Sequence, residues 1–158
     1  MNLKIEKQPN VFVAIVSYNG KGLIERCLSS VLRSSIPVSI YVIDNNSDDS
    51  TKEIILENFP QVNLIKLEHN IGFGRANNIV FNEFLKQNGD YLLLLNQDVT
   101  IEENTIESLV ESYSMHDNVG LISPLHFSNP QQLDTNFSNY LKDAVSADPL
   151  SDAILNSL

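Results

Sequence analysis

The sequence is poor in the features that mark several protein classes. It has one cysteine, Cys27, in 158 residues, so no disulfide framework can form within the chain. No apolar run approaches the ~20 residues that a helix needs to cross a bilayer, and no membrane span is expected. The N-terminal MNLKIEKQPN lacks the apolar core of a signal peptide, so the expected location is cytoplasmic. Basic residues are nearly missing from one half. Residues 87–158 hold only Lys142 against eleven acids, while residues 1–86 balance nine against nine, so the second half carries the whole net charge of -10. Such a surface repels a phosphate backbone and argues against a nucleic-acid partner. Acidity of this kind serves solubility, or lets some carboxylates hold a cation that then meets a phosphate.

What is present is a core. With 42% apolar residues the chain is too apolar to stay disordered. Its length suits one domain, able to bury roughly 68–70% of its unfolded surface. Apolar strands alternate with amphipathic helices, and there is no internal repeat. Val11 to Ser17 reads as a strand buried on both faces, because β-branched residues run on without polar alternation. In the following helix Leu23, Ile24, Cys27, Leu28, Val31 and Leu32 share one stripe, which makes Cys27 a packed core thiol. Val38 to Ile43 is the second strand. Ser50 to Glu53 has the form of a capping box opening the next helix, and Pro60 ends it. Val62 to Leu67 is the third strand. The turn Asn70 to Gly74 leads into a helix near Arg75 to Gln87. Tyr91 to Leu95 is the fourth strand. Thr100 to Glu103, a second capping-box form, opens a helix through about Met115. Val119 to Ser123 reads as a fifth strand, stopped by Pro124.

This order predicts an α/β fold: a mostly parallel sheet with flanking helices, Rossmann-like in kind. Ligands of such sheets sit beyond the carboxyl ends of the strands. Three polar clusters fall there: Tyr18-Asn19, Asp44-Asn45-Asn46 and Asn96-Gln97-Asp98. Asp44 can accept hydrogen bonds from a pyrimidine N–H or ribose hydroxyls, or can serve as a turn residue. Gly72 and Gly74 permit close backbone approach at a helix start that offers free N–H groups, and Arg75 adds a cation. Asn77 stands where a dinucleotide fingerprint has its third glycine, so that signal is weak. Asp98 can hold Mg²⁺ or Mn²⁺ together with the phosphates of a ligand. Asn96 stands where a haloacid-dehalogenase-like phosphatase has its aspartate nucleophile, and an amide cannot form the acyl phosphate. His69, His116 and His126 have no metal-ligand spacing.

Together VAIVSYNG (13–20), YVIDNNSDDST (41–51), NIGFGRANN (70–78) and DYLLLLNQDV (90–99), followed by VGLISP (119–124), resemble the family-2 glycosyltransferases of GT-A fold, in their rhamnosyltransferase-like branch. The resemblance covers about residues 11–126. It implies an inverting transferase of polysaccharide biosynthesis that moves a sugar from a nucleoside-diphosphate donor, of thymidine or uridine type, to a glycan or lipid-linked acceptor hydroxyl. Tyr18 and Asn19 would lie by the base and ribose, and Asp44 would take the pyrimidine or ribose contact. Asn70, Gly72, Gly74, Arg75 and Asn78 would surround the nucleoside and diphosphate. Asn96 and Asp98 would stand at the family's Asp-x-Asp position, with Asp98 ligating the divalent cation. Residues 1–127 would form the GT-A nucleotide-sugar-binding region. Residues 128–158 would be a polar extension opening the acceptor half. That half normally supplies the carboxylate base, and Asp134, Asp143, Asp148 and Asp152 lack its context. The chain therefore reads as the donor-binding half of a transferase, and self-association would cover apolar surface that an incomplete domain exposes. The alternative is a non-catalytic nucleotide-sugar-binding or assembly module. A dinucleotide-dependent oxidoreductase is disfavoured, because Ser17 to Gly20 lacks the glycine pattern.

Overall fold

The computed structural model describes residues 8–116, 118–129 and 131–139. Asp143, Asp148 and Asp152 lie outside them, as does the rest of the expected extension beyond residue 139. Two compact units are present, the first ending at residue 117 and the second starting at 118.

The first unit is built on β1 (Val11–Ser17), whose seven residues are all buried. It lies between β2 (Val38–Asp44) and β4 (Tyr91–Asn96), and β3 (Asn63–Lys66) extends the sheet beyond β2. The strand order is β3-β2-β1-β4 and every pairing is parallel, as the continuous apolar strands predict. The pleat sends alternate β1 residues to opposite faces. Val11, Val13 and Ile15 pack with Ile24, Cys27, Leu28 and Val31 of α1 (Ile24–Leu32), Ile55 of α2 (Thr51–Asn58), and Ile106 and Val110 of α4 (Thr105–Ser114). Phe12, Ala14 and Val16 pack with Ile43 and with Ala76 and Val80 of α3 (Phe73–Lys86). Cys27 is thus the core thiol that its stripe implies, and burial with the nearby Asp98 charge pushes its pKa up to about 12.

Two helix starts differ from their sequence signals. Ser50 makes no side-chain cap bond. Asp49 Oδ1 instead accepts from the Thr51 N–H at 2.9 Å and from the Thr51 hydroxyl. The fourth helix begins at Thr105 rather than near Thr100. Tertiary bonds hold the intervening turn open: Ile101 N–H donates to Ser30 Oγ at 3.2 Å, and Glu103 O accepts from Ser35 N–H at 2.9 Å.

In the second unit the expected strand at Val119 to Ser123 is absent; residues 119–126 have no regular structure. Leu121 is 90% exposed, so this apolar run has neither a ladder nor a core to hold it extended, and Pro124 removes a donor. The strands here are β5 (Phe127–Asn129) and β6 (Gln132–Leu133), paired antiparallel. Asp134 Oδ1 then accepts from Phe137 N–H at 3.0 Å and caps the helical turn over 135–139. That backbone bond holds the Asp134 carboxyl below its ordinary pKa, which marks Asp134 as a cap.

The face under α3 depends on Phe12, which is fully buried, stacks on Tyr41 at 5.5 Å and meets Phe84 edge-on at 5.7 Å. Phe12→Ala should therefore cost about 3–5 kcal/mol of stability. Urea denaturation checks this, and a loss below about 1 kcal/mol would deny the cluster its role.

Candidate functional site

Strand order reverses at β1: β2 and β3 lie on one side, and α3 carries the chain across to place β4 on the other. Beyond the carboxyl ends of β1 and β4, at this switch point, an open cleft of about 340 Å³ is lined by Val16, Tyr18, Leu23, Asn45, Asn70, Phe73, Asn96, Gln97 and Asp98. Open parallel sheets bind ligands in this position.

Hydrogen bonds between loops far apart in sequence hold the rim. The β1–α1 loop is tied to the β2–α2 loop by Asn19 N–H to Ser47 Oγ (3.0 Å), Asp48 N–H to Asn19 Oδ1 (3.0 Å), Gly20 N–H to Thr51 Oγ1 (2.8 Å) and Lys21 N–H to Asp49 Oδ2 (3.1 Å). Asn19 at φ 49° and Asn46 at φ 67° turn the backbone left-handed, which asparagine tolerates better than most residues. Asn45 then ties β2 to the next turn. Its Nδ2 donates to Asn70 Oδ1 at 2.9 Å, and its Oδ1 accepts from Ile71 N–H at 2.9 Å. Asn70 Oδ1 also accepts from Gly72 N–H at 2.9 Å. Gly72, at φ 83° and ψ 157°, occupies a conformation essentially reserved for glycine. It delivers the chain into α3, whose first-turn N–H groups have no partner within the helix.

Of the residues singled out from the sequence, Tyr18, Asn70, Asn96 and Asp98 meet in the cleft. Gly72, Gly74 and Arg75 are exposed at the start of α3, and Asn78 is exposed on its next turn. Asn19 braces the rim. Asp44 is fully buried and does not line the cleft. Its Oδ2 accepts from Ser47 N–H at 3.1 Å and lies 4.0 Å from Lys52 Nζ, while its Oδ1 has no hydrogen-bond partner. Strand parity explains the placement. Ile43 faces α3, so Asp44 turns to the opposite face, toward α2, and Asn45 turns to the cleft.

Asn45, Phe73 and Gln97, with Val16 and Leu23, complete the cleft wall without having been singled out as site residues. The first three lie inside motifs already read; the parity of β2 puts Asp44 and Asn45 on opposite faces, and only the packing of the sheet decides which of them meets the cleft. Phe73 and Gln97 needed the fold.

Asp98 and Asn96 are both exposed oxygen donors on the cleft wall. Among the described residues no group of three or more His, Cys, Asp or Glu could form a metal cage. One carboxylate, one amide carbonyl and open positions suit Mg²⁺ or Mn²⁺, which keep waters and phosphate oxygens as ligands. The donor set therefore fits a cation brought in with a diphosphate.

The sequence pattern of glycosyl transferase family 2 matches residues 12–141. The chain belongs to that family. It is 29% identical over 122 residues to N-acetylglucosaminyl-diphospho-decaprenol L-rhamnosyltransferase of Mycobacterium tuberculosis, a match that spans 72% of this chain and 40% of that protein. Its fold is similar to that of S. aureus TarS residues 1–349 (TM-score 0.58, 23% identity, 76% of this chain and 40% of that one). The mannosyltransferase PcManGT from Pyrobaculum calidifontis, in complex with GDP-Man and Mn2+, is also similar (TM-score 0.68, 22% identity, 85% of this chain and 39% of that one). The chain thus spans about 40% of the length of the curated relatives it matches. For a family-2 glycosyltransferase chain the GT-A, Rossmann-like fold expected from the motifs is the one observed. No helix among the described residues is long and apolar enough to cross a membrane.

Partial burial opposes ionisation of Asp49. The hydrogen bonds from the Thr51 hydroxyl and from the backbone N–H groups of Lys21 and Thr51, with the Lys21 charge, outweigh it and hold the carboxyl below its ordinary pKa. A lowered folded value means that the rim bracing is complete above the ordinary carboxylate range and is lost as pH falls through the lowered value. The Lys21 and Thr51 amide resonances should therefore titrate together on the acid side, and Asp49→Asn should abolish that step. Amide shifts that stay flat through this range in the parent chain would refute the assignment.

Proposed function

We propose that this chain is the donor-binding part of an inverting glycosyltransferase, which takes a nucleoside-diphosphate sugar of uridine or thymidine type and a divalent cation. The observation that carries the reading is the convergence of Tyr18, Asn45, Asn70, Asn96 and Asp98 on one cleft at the sheet's switch point. The family match and the donor-bound neighbour with Mn2+ support it. Tyr18 supplies a half-exposed aromatic face (47%) for the base, and Asn19 holds that turn in place. The Asn70 turn with Gly72 and Gly74, the free N–H groups of α3, and the Arg75 and Asn78 side chains receive the ribose and diphosphate. Asp98 and the Asn96 carbonyl hold the cation. Asp44 acts from beneath, where its carboxylate fastens the Ser47 turn that bears Asn45.

In the transfer, the bond from the anomeric carbon to the diphosphate oxygen breaks. The acceptor hydroxyl oxygen, from a glycan or lipid-linked sugar, attacks the opposite face and gives its proton to a carboxylate base that is not among the cleft residues. A bound cation would offset charge on the leaving diphosphate. The residues of this chain hold the donor in line and offer N–H groups to the phosphates.

Calorimetry with uridine, thymidine and adenosine diphosphates, with and without Mn²⁺, tests the reading. The pyrimidine nucleotides should bind more tightly than adenosine diphosphate. Mn²⁺ and nucleotide should raise each other's affinity by the same factor. Asp98→Asn should abolish the coupling, and Asn96→Asp should strengthen it. Equal binding of adenosine diphosphate, or coupling that survives Asp98→Asn, would sink the assignment.

Asp44→Ala separates support from contact. A support role predicts a lower melting temperature, by roughly 1–3 kcal/mol of stability, with binding weakened only as far as folding is. Full stability together with a selective loss of nucleotide affinity would instead make Asp44 a direct ligand contact.

A further inference from the structure

Backbone pairing between β1 and β4 stops at Val16 and Asn96. Beyond that point the side chain of Gln97 takes over the pairing. Its Oε1 accepts from the Ser17 hydroxyl at 2.7 Å and from the Tyr18 N–H at 3.2 Å. Its Nε2 donates to the Tyr18 carbonyl at 3.0 Å. The amide therefore engages both backbone groups of one residue, as a peptide group in a ladder would. Gly20 closes over it: a Cβ at Gly20 would lie 2.3 Å from Gln97 Oε1. Among the described residues no other side chain hydrogen-bonds the β4 end to the Tyr18 turn.

We propose that Gln97 is the positioning residue of the donor site, its amide clamping the Tyr18 backbone to the Asn96–Asp98 segment so that the cation-binding oxygens and the base-facing wall move as one. The proposal rests on the donor-site reading above and adds the part that links its two halves. Asp98 is exposed just beyond the strand end, and among the described residues its carboxylate has no hydrogen bond to orient it. Gln97, next to it in the chain, is fastened at three points. Residues that orient metal ligands from behind commonly change metal affinity by 10–100-fold when replaced. Gln97 has a second effect that a metal-side support alone lacks, because its other partner is the turn bearing Tyr18. Removing the clamp should weaken the coupling between the two ligands more than it weakens either ligand alone.

The test uses the 158-residue chain with uridine diphosphate and Mn²⁺ as probes. In Gln97→Ala the factor by which Mn²⁺ raises nucleotide affinity should fall by about fivefold or more, while metal-free nucleotide affinity changes less than that factor. Gly20→Ala leaves Gln97, Asn96 and Asp98 in the sequence but pushes the amide out of place, so it should reproduce the loss. The double variant should be no worse than Gln97→Ala alone, since both act through one clamp. Gln97→Glu keeps the size and both acceptor bonds but loses the donor to the Tyr18 carbonyl, and should be intermediate. If Gln97→Ala fails to fold by circular dichroism, the Gln97→Glu and Gly20→Ala values decide. Coupling equal to the parent chain's in every folded variant, or additive losses in the double variant, would overturn the clamp while leaving the donor site standing. A parent chain that binds no nucleoside diphosphate would instead overturn the donor-site reading itself.

Discussion

The structure depends on β1 being buried on both faces and paired on both edges. Every residue of Val11–Ser17 is buried, between its parallel neighbours β2 and β4 and under a helix layer on each face. One-residue slippage of either would turn its core set onto the wrong helix layer. That constraint fixes where the strands end, and the strand ends are where polarity is permitted. The polar clusters after β1, β2 and β4 are brought together because these three adjacent strands stop at nearly the same level.

Polarity at those ends is arranged in a definite hierarchy. Most of the loop side chains bond backbone groups of another loop and so set the rim: Ser47, Asp49 and Thr51 against residues 19–21, and Asn45 against Ile71. Fewer are left with open valences toward the cleft, chiefly Tyr18, Asn96 and Asp98. A site of this kind is organised by neutral amides and hydroxyls more than by ion pairs, which limits the desolvation that a charged rim would have to overcome. Lys52 and Asp44 approach to 4.0 Å, and neither lines the cleft.

Much of the fold was legible in the sequence because local signals and the core agreed. The run at Val11 to Ser17, the helix stripe through Cys27 and the glycine turn at Asn70 to Gly74 each became the element they implied. Two of the misread places share a cause, a hydrogen bond to another segment that competes with the local cap, and the third lacks a partner strand. Ser50 to Glu53 has the spacing of a capping box, yet Asp49 caps the Thr51 helix because its carboxylate is already held by Lys21 N–H. Thr100 to Glu103 has the same spacing, yet bonds to Ser30 and Ser35 keep it from becoming helix. Val119 to Ser123 has strand composition but no neighbouring strand to pair with among the described residues.

The sequence alone determined the class of fold, the family and the four segments that supply the site, since strand, helix and turn chemistry act over a few residues. Which side chain of each segment faces the cleft was decided only by tertiary structure. Asp44 and Asn45 are adjacent polar residues with similar hydrogen-bonding capacity, and nothing local separates them. The pleat of β2, fixed by its pairing with β1, buries the first and exposes the second to the cleft. Gln97 is the same case at longer range. Its partners lie 79 and 80 positions earlier in the chain, and only the parallel register of β1 and β4 brings them within reach of its amide.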